Sequence, residues 1–225
     1  MRGFQLFKLL TVACVAGLRT RPSAPWLALA MLVAIVPSQA GDRVHEGLLA
    51  LYDFRLAKGE MVKDRSGAGQ PLDLKIENPK NVRRSEGGLE IRGQTLVRSV
   101  KPASKISNAV KRSAAITLEA WVQPDNKKQE GPARIVTISG NSTNRNITLG
   151  QEEDRYDARF RTTETSNNGL PSLASKPGSL NLKLTHVVFT RNTAGHAKIY
   201  LNGKLNSSRS IGGRTASWDP AYRLG

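Results

Sequence analysis

The sequence predicts an all-β sandwich, because several of its segments alternate apolar and polar residues with a period of two. Residues 115–124 read AITLEAWVQP, and residues 185–205 read THVVFTRNTAGHAKIYLNGKL. This period places apolar side chains on one face of a half-buried antiparallel strand. The second segment also contains Asn202-Gly203 between two apolar runs. Asn-Gly tolerates the positive φ angles of a type I′ turn, so it predicts a β-hairpin.

The other predicted elements follow the same reasoning along the chain. Apolar or alternating segments bounded by turn residues predict strands at residues 48–54, 72–76, 89–91, 95–100, 133–139, 146–151 and 156–163. Residues 64–67 (DRSG) predict a turn, since Asp accepts local backbone hydrogen bonds and Gly allows unusual φ values. Residues 104–112 fit either one helical turn or a loop. Residues 166–183 predict a long surface loop, of the kind that carries binding function in β-sandwiches.

The first forty residues have the organisation of a secretory leader. They carry four basic residues and no acid, followed by an apolar run at positions 26–36 and by Pro37-Ser38-Gln39-Ala40. Small residues at positions −3 and −1 favour cleavage after Ala40. The run is well short of the roughly 20 residues that span a bilayer. We therefore expect residues 1–40 to be a signal peptide and residues 41–225 to form one domain. The alternative is an uncleaved N-terminal anchor, because a second apolar patch lies at positions 6–18.

The only cysteine, Cys14, lies inside this leader, so the exported chain would have none. This excludes a disulfide scaffold, thiol chemistry and cysteine-based zinc sites. We expect a secreted, periplasmic or cell-surface protein that touches a membrane only through an uncleaved leader.

The chain is strongly basic, with a formal net charge of +16. An exported protein meets little nucleic acid, so we expect no nucleic-acid partner; acidic polysaccharide, anionic lipid or cell-wall polymer are the partners that such a charge attracts. The alternative is a solvated basic surface that keeps the protein soluble, which the scattered positions of the cations favour.

The ordered set of motifs resembles the laminin-G-like (concanavalin A-like lectin/glucanase) domains of secreted bacterial proteins, notably of the planctomycete type. The matching motifs, in the order of the family, are LLALYDF, DRSGAGQPLDL, AITLEAWVQP, ARIVTISG, THVVFTRN and AKIYLNGKL. The resemblance implies an antiparallel jelly-roll sandwich of two sheets from about residue 47 to residue 225. It also implies a further apolar strand after residue 225, so we expect a C-terminally truncated domain that lacks its last strand or strands. The implied function is non-catalytic binding of sugar or protein ligands, with calcium in some members.

Two strand faces supply the candidate ligand-binding residues. Trp121 lies among polar residues on the predicted outer face of residues 115–124, where its ring can stack on a sugar. Arg159 and Arg161 share a face of residues 156–163 and can grip sulfate or carboxylate. We add Asn144, from the turn before the strand at 146–151, and Gln151, from the end of that strand. For each of these residues, the alternative to ligand binding is a side chain that is simply covered by the protein or solvated.

The loops offer only weak candidates for calcium. Calcium takes six to eight oxygen ligands, and the plausible contributors are Asp125, Asn126 and Asp154. No EF-hand-like spacing joins them, so ordinary loop residues are the alternative, and we predict no obligatory cofactor.

Glycoside hydrolysis has little support, although laminarinase-type enzymes share the implied fold. That chemistry needs two carboxylates on one strand face. The close acid cluster at 152–154 (EED) occupies adjacent positions beside a turn, and Glu119 stands alone on its strand. We therefore predict no enzyme but a carbohydrate-binding module, with acidic or neutral polysaccharide, such as a cell-surface glycan, as its ligand. The alternatives are a module for protein–protein docking or cell-surface adhesion and a truncated gene product with no role of its own.

Overall fold

The structure, a computed structural model, describes residues 5–13, 46–56, 58–85 and 87–225, and for residues 5–13 it describes the backbone alone. These residues contain sixteen strands, one α-helix and one 3-10 turn at Pro79–Asn81. The strands in chain order are β1 (Gln5–Ala13), β2 (Leu48–Tyr52), β3 (Met61–Val62), β4 (Leu74–Ile76), β5 (Val82–Ser85), β6 (Gly88–Ile91), β7 (Val97–Ser99), β8 (Ile116–Gln123), β9 (Ala133–Ser139), β10 (Arg145–Glu152), β11 (Arg155–Phe160), β12 (Leu173–Ala174), β13 (Thr185–Arg191), β14 (His196–Leu201), β15 (Lys204–Ser210) and β16 (Arg223–Leu224). The helix, α1, is Ser104–Ser113.

The strands form antiparallel sheets, as the sequence predicts. The large sheet has the order β15-β14-β13-β8-β1-β6-β5, with β2 also paired to β1. A five-stranded sheet has the order β12-β11-β10-β9-β16, and a smaller one has the order β3-β4-β7. The buried apolar residues of all three sheets form one continuous cluster, so the strands enclose a single core.

The strand β8 shows why the alternating pattern is informative. Its residues Ile116, Leu118, Ala120 and Val122 are all buried, as the period of two predicts, while the residues between them are only partly buried. These side chains meet the inner residues of the five-stranded sheet. One contact across the core joins Phe160 and Phe189, whose ring centroids lie 6.2 Å apart.

The predicted hairpin is confirmed. Asn202 and Gly203 connect β14 to β15 with φ values of 50° and 78°. Both values lie in the left-handed region that a type I′ turn requires at its two central positions.

Residues 104–113 form three turns of helix, where the sequence allowed one helical turn or a loop. The helix buries Ile106, Ser107 and Val110 on one face. It ends at Ala114, which has a φ of 55° and donates its N–H to the carbonyl of Val110 at 2.7 Å. The apolar spacing of four residues between Ile106 and Val110 matches one helix face and explains this packing.

The structure also places a strand where the sequence predicts a removable leader. β1 lies between β8 and the pair β2 and β6, and so it is an inner strand of the large sheet. The sequence did not predict a strand at these residues. The signal peptide itself stays a prediction, because the cleavage position at Ala40, the apolar run and Cys14 lie outside the described residues. No helix among the described residues is long and apolar enough to cross a membrane.

Two boundaries differ from the prediction. The strand expected at 156–163 ends at Phe160, because Thr162 and the residues after it turn through side-chain hydrogen bonds with Thr165. The expected long loop at 166–183 contains the short strand β12, which pairs with β11 and adds an edge to the five-stranded sheet.

Candidate anion-binding face

The five-stranded sheet has a polar outer face that is rich in arginine. Thr148 of β10 lies opposite Thr137 of β9 and opposite Arg159 of β11. Opposite residues in antiparallel strands share a face, so these three side chains point away from the core. The hydroxyl oxygens of Thr137 and Thr148 lie 2.6 Å apart and share a hydrogen bond. Small polar side chains therefore form the floor between the larger charged ones.

Arg145 is the most unusual residue of this face, because its side chain is almost fully buried. Only 1% of the residue is exposed. Its Nη1 donates to the hydroxyl of Thr148 at 3.2 Å, and its Nη2 donates to the carbonyl of Ser142. Its Nε is buried with no hydrogen-bond partner. An unsatisfied buried donor on a charged group is costly, so this guanidinium is poorly neutralised.

The charges around Arg145 add to this cost. Its pKa is lowered to about 10, first by burial and then by the positive charges of Arg159 and Arg134, while Asp157 opposes the shift. Arg159 donates from Nε to Oδ2 of Asp157 at 3.0 Å and lies 3.7 Å from Oε2 of Glu152. Three guanidinium groups thus face two carboxylates, and we call these five residues the arginine face.

Arg134 forms the rim of the arginine face. Its guanidinium donates to the hydroxyl of Ser139 at 3.3 Å and to the carbonyl of Asn141 at 2.9 Å, and burial lowers its pKa. Asn144 belongs to the same turn, where its Nδ2 donates to Oδ1 of Asn141 at 3.3 Å. The structure therefore brings the predicted residue Asn144 to the border of the arginine face.

A cavity of about 360 Å³ opens beside Arg134. One wall carries polar groups of β9, including Thr137 and Ser139, and another wall is apolar, with Leu89 and Ile91 of β6. This volume lies within the usual range of ligand pockets. The arginine face thus borders a concave surface rather than a flat one.

The structure separates the two arginines that the sequence paired. Arg161 is 6% exposed and donates to the carbonyl of Ser217, and its guanidinium carbon lies 5.5 Å from the ring centroid of Tyr222. Arg159 instead binds the acids of the arginine face. The two guanidinium groups have different partners, so a joint grip on one anion is not part of this structure.

Trp121 lies on the outer face of the large sheet, as predicted, and is partly exposed. It stacks on His186 with a centroid separation of 4.7 Å and an angle of 16° between the rings. His186 in turn lies 3.0 Å from a carboxylate oxygen of Glu119. One ring face is therefore already covered by a protein side chain, which leaves less of the indole for a sugar.

Gln151 has a structural role in this fold. It is 2% exposed, and its Nε2 donates to the carbonyls of Asn126 at 2.6 Å and Glu153 at 3.0 Å. These bonds hold the loop after β8 against the turn between β10 and β11. The amide nitrogen of Gln151 is thus bound to main-chain carbonyls of the protein itself.

Two of the three calcium candidates, Asn126 and Asp154, accept hydrogen bonds from backbone N–H groups. Asn126 Oδ1 accepts from the N–H of Lys128 at 2.9 Å, and Asp154 Oδ2 accepts from the N–H of Gly178 at 2.8 Å. Asp125 is exposed. Within the described part of the chain, no group of three or more acidic, histidine or cysteine side chains is arranged to hold a metal ion. Calcium dependence stays a prediction.

The family of the chain follows from a match over more than half of its length. Residues 99–225 match the model of the Concanavalin A-like lectin/glucanases superfamily, in its Laminin G form. The chain belongs to this family. No curated protein matches this laminin G-like chain. A crystal structure of an HCR/D mutant is similar at 16% identity and a TM-score of 0.39, over 72% of this chain and 42% of that one.

The sequence prediction missed two of the three arginines in this laminin G-like domain. Arg145 and Arg134 lie near the ends of β10 and β9, where the pairing of the two strands shifts register between Arg145 and Ile147 and again between Leu149 and Gly150. Counting alternate residues fails across such irregularities, because one extra residue changes which side chains share a face. A sequence signal for the arginine face would have been three arginines at or near the ends of neighbouring strands.

Proposed function

We propose that this domain is a non-catalytic binding module of an exported protein and that its arginine face binds acidic polysaccharide. One observation supports this proposal above all. Arg145 is buried with an unpartnered Nε beside two further arginines, Arg134 and Arg159. An incoming sulfate or carboxylate would relieve the repulsion among these three cations.

Guanidinium groups suit such ligands because their planar donors match two oxygens of a sulfate or carboxylate. Arg134 and Arg159 are each partly exposed, so they are the groups that an anion reaches first. Arg145 then contributes its positive charge, since it is close enough to Arg134 and Arg159 for their charges to lower its pKa. The basic composition of the whole chain attracts an acidic polymer over a longer range.

The acids of the arginine face favour binding over catalysis. A glycosidase needs one carboxylic acid that gives up a proton and one free carboxylate. Here both Asp157 and Glu152 lie within ion-pair distance of Arg159, so neither is a free carboxylate. They serve as counter-ions that keep the guanidinium of Arg159 in place.

Affinity electrophoresis of the full chain tests this function. The protein is run through gels that contain a sulfated, a uronic-acid or a neutral polysaccharide, at low and high salt, with and without calcium. We expect retardation in the two acidic gels that fades as salt rises, because exposed charges are screened within about 10 Å at 0.1 M. Retardation in the neutral gel alone would contradict the proposal and direct attention to Trp121.

Two substitutions locate the binding surface. Arg159→Ala and Arg134→Ala should each reduce retardation at least fivefold, whereas Arg112→Ala, which removes an exposed arginine from α1, should have little effect. Equal losses in all three variants would show non-specific charge attraction and overturn the assignment to the arginine face. No retardation of the folded protein in any gel would overturn polysaccharide binding and favour protein docking.

A further inference from the structure

We propose that the groove between β8 and the pair β2 and β6 is a strand-acceptor site, and that its ligand is the peptide of residues 5–13 of this chain. The peptide fills the groove as β1 while it is attached, and we infer that it also binds after its covalent link to the domain is cut. This site is separate from the arginine face and does not depend on polysaccharide binding.

The pairing of β1 shows that the groove binds it along both edges. On one edge, residues 6–13 run antiparallel to β8, where Leu6 is opposite Gln123 and Ala13 is opposite Thr117. On the other edge, residues 5–7 pair with β6 and residues 10–13 pair with β2. An added strand gains its affinity from such main-chain hydrogen bonds, and here both edges supply them.

The walls of the groove are held by contacts that do not involve β1. β8 pairs along its other edge with β13, from Thr185 opposite Val122 to Arg191 opposite Ile116. β6 pairs with β5. The middle of β2 is fixed on its far side, because Leu51 accepts from the N–H of Arg65 at 2.8 Å. Each wall therefore has its own support, as a preformed binding groove requires.

The donor strand is distant in sequence from its neighbours although it is internal in the sheet. The other elements of the described residues lie between Leu48 and Leu224, whereas β1 is separated from β2 by residues 14–47. The cleavage predicted after Ala40 lies in this interval, so a single cut would separate donor and acceptor. Loss of β1 would expose the edges of three strands, and such unpaired edges recruit another strand.

The first experiment separates donor and acceptor within the complete chain. A specific protease sequence is inserted at the Ala40–Gly41 junction of the full-length protein, which is then purified and cut. We expect the fragment of residues 1–40 to elute together with the fragment of residues 41–225 in gel filtration. Separation of the two fragments under native conditions would overturn the proposal, whether or not the larger one stays folded.

Exchange of the peptide tests whether the groove accepts a free strand or whether the two fragments only stay associated after cleavage. The cut protein is unfolded in urea and refolded with a tenfold excess of a fluorescent peptide of sequence QLFKLLTVA. We expect this peptide to occupy most grooves, and a peptide with Leu10→Pro to bind at least tenfold less, because proline removes a main-chain donor from an inner strand. Failure of QLFKLLTVA to incorporate, or equal incorporation of both peptides, would overturn the proposal.

A disulfide in the uncut chain tests the register of β1 against β8 without removing any strand. In a Cys14→Ser background, Leu10→Cys and Ala120→Cys occupy opposite Cα positions, within the range that a disulfide spans. In the matched control, Val12→Cys replaces Leu10→Cys, and the two Cα atoms lie about 8 Å apart, which is too far. Rapid oxidation of the first pair alone is expected. Equal oxidation of both pairs, or of neither, would contradict the placement of β1 in the groove.

Discussion

Replacement of Asp64 by asparagine should destabilise the domain strongly, because one carboxylate holds three segments together. Asp64 Oδ1 accepts from the N–H groups of Leu51 at 3.2 Å and Ser66 at 3.0 Å. Oδ2 accepts from the N–H of Leu72 at 3.0 Å and from Nζ of Lys105 at 2.7 Å. The side chain of Asp64 is only 1% exposed, so water does not replace these bonds.

The geometry sets the size of the effect. Asparagine keeps one acceptor oxygen and turns an NH₂ group toward the two donors at Leu72 and Lys105. A buried donor without a partner costs about 1–3 kcal/mol. Lys105 keeps a bond to the carbonyl of Ala68 at 2.9 Å, and its side chain is 19% exposed. The cost of its lost bond to residue 64 is therefore at the lower end of this range. We expect Asp64→Asn to lower the free energy of unfolding by about 2–5 kcal/mol.

Urea unfolding followed by circular dichroism measures this loss. The matched control is Asp73→Asn, whose carboxylate is 23% exposed and accepts from Nζ of Lys63 at 2.7 Å and from the N–H of Asp64 at 3.0 Å. Asparagine keeps an acceptor oxygen for the second bond, so this substitution should cost about 1 kcal/mol or less. Equal effects of the two substitutions would refute the reasoning, because it depends on the burial of Asp64 and on its larger number of donors.

The pH dependence gives a second check on Asp64. Burial alone would raise the pKa of this carboxyl, but the hydrogen bonds from Lys105 and from the backbone of Leu72 and Ser66 outweigh it and lower the pKa below the ordinary value of 3.8. A lowered pKa in the folded state means that the ionised group stabilises the fold above pH 3.8 and that this stabilisation is lost as pH falls through the folded value. The difference between the wild type and Asp64→Asn should therefore shrink below that pH.

Three further substitutions test the packing of the two larger sheets by urea unfolding. Arg191→Met should cost about 2–4 kcal/mol, because the buried guanidinium donates twice to the carbonyl of Ile211, at 3.0 and 2.8 Å. Trp218→Phe should cost about 1–3 kcal/mol, because it removes the indole bond to the carbonyl of Arg161 at 2.7 Å and leaves a small void. Gly150→Ala should cost about 2 kcal/mol or more, because the new Cβ would lie 2.6 Å from a carbonyl oxygen of β9. Losses under 0.5 kcal/mol would contradict each expectation.

The parts of the fold that depend on local pattern were predictable from the sequence. The alternation in β8 gave the correct core residues, such as Leu118 and Val122. Asn202-Gly203 gave the correct hairpin. Both predictions succeed because a period of two and a pair of residues that favour left-handed φ values are local signals, which do not depend on distant segments.

The arginine face depends on information that one strand does not contain. Arg145 and Arg134 come together through strand pairing with two irregularities, and Arg161 leaves the face because the carbonyl of Ser217, 56 residues away, accepts from it. β1 escaped prediction for another reason. Its sequence is apolar and basic, and the same composition serves a secretory leader and an inner strand.

The position of β1 ahead of its partners in the sequence has a consequence during synthesis. This strand leaves the ribosome before its longest partner, β8, which begins about 100 residues later. At about 5–20 residues per second, the peptide waits roughly 5–20 s before its neighbour exists. If the predicted leader is recognised for export, the export receptor would meet this apolar peptide during that interval, before the sheet competes for it. The rate of translation, and not only the sequence, would then influence how many chains are exported and how many fold with β1 in place.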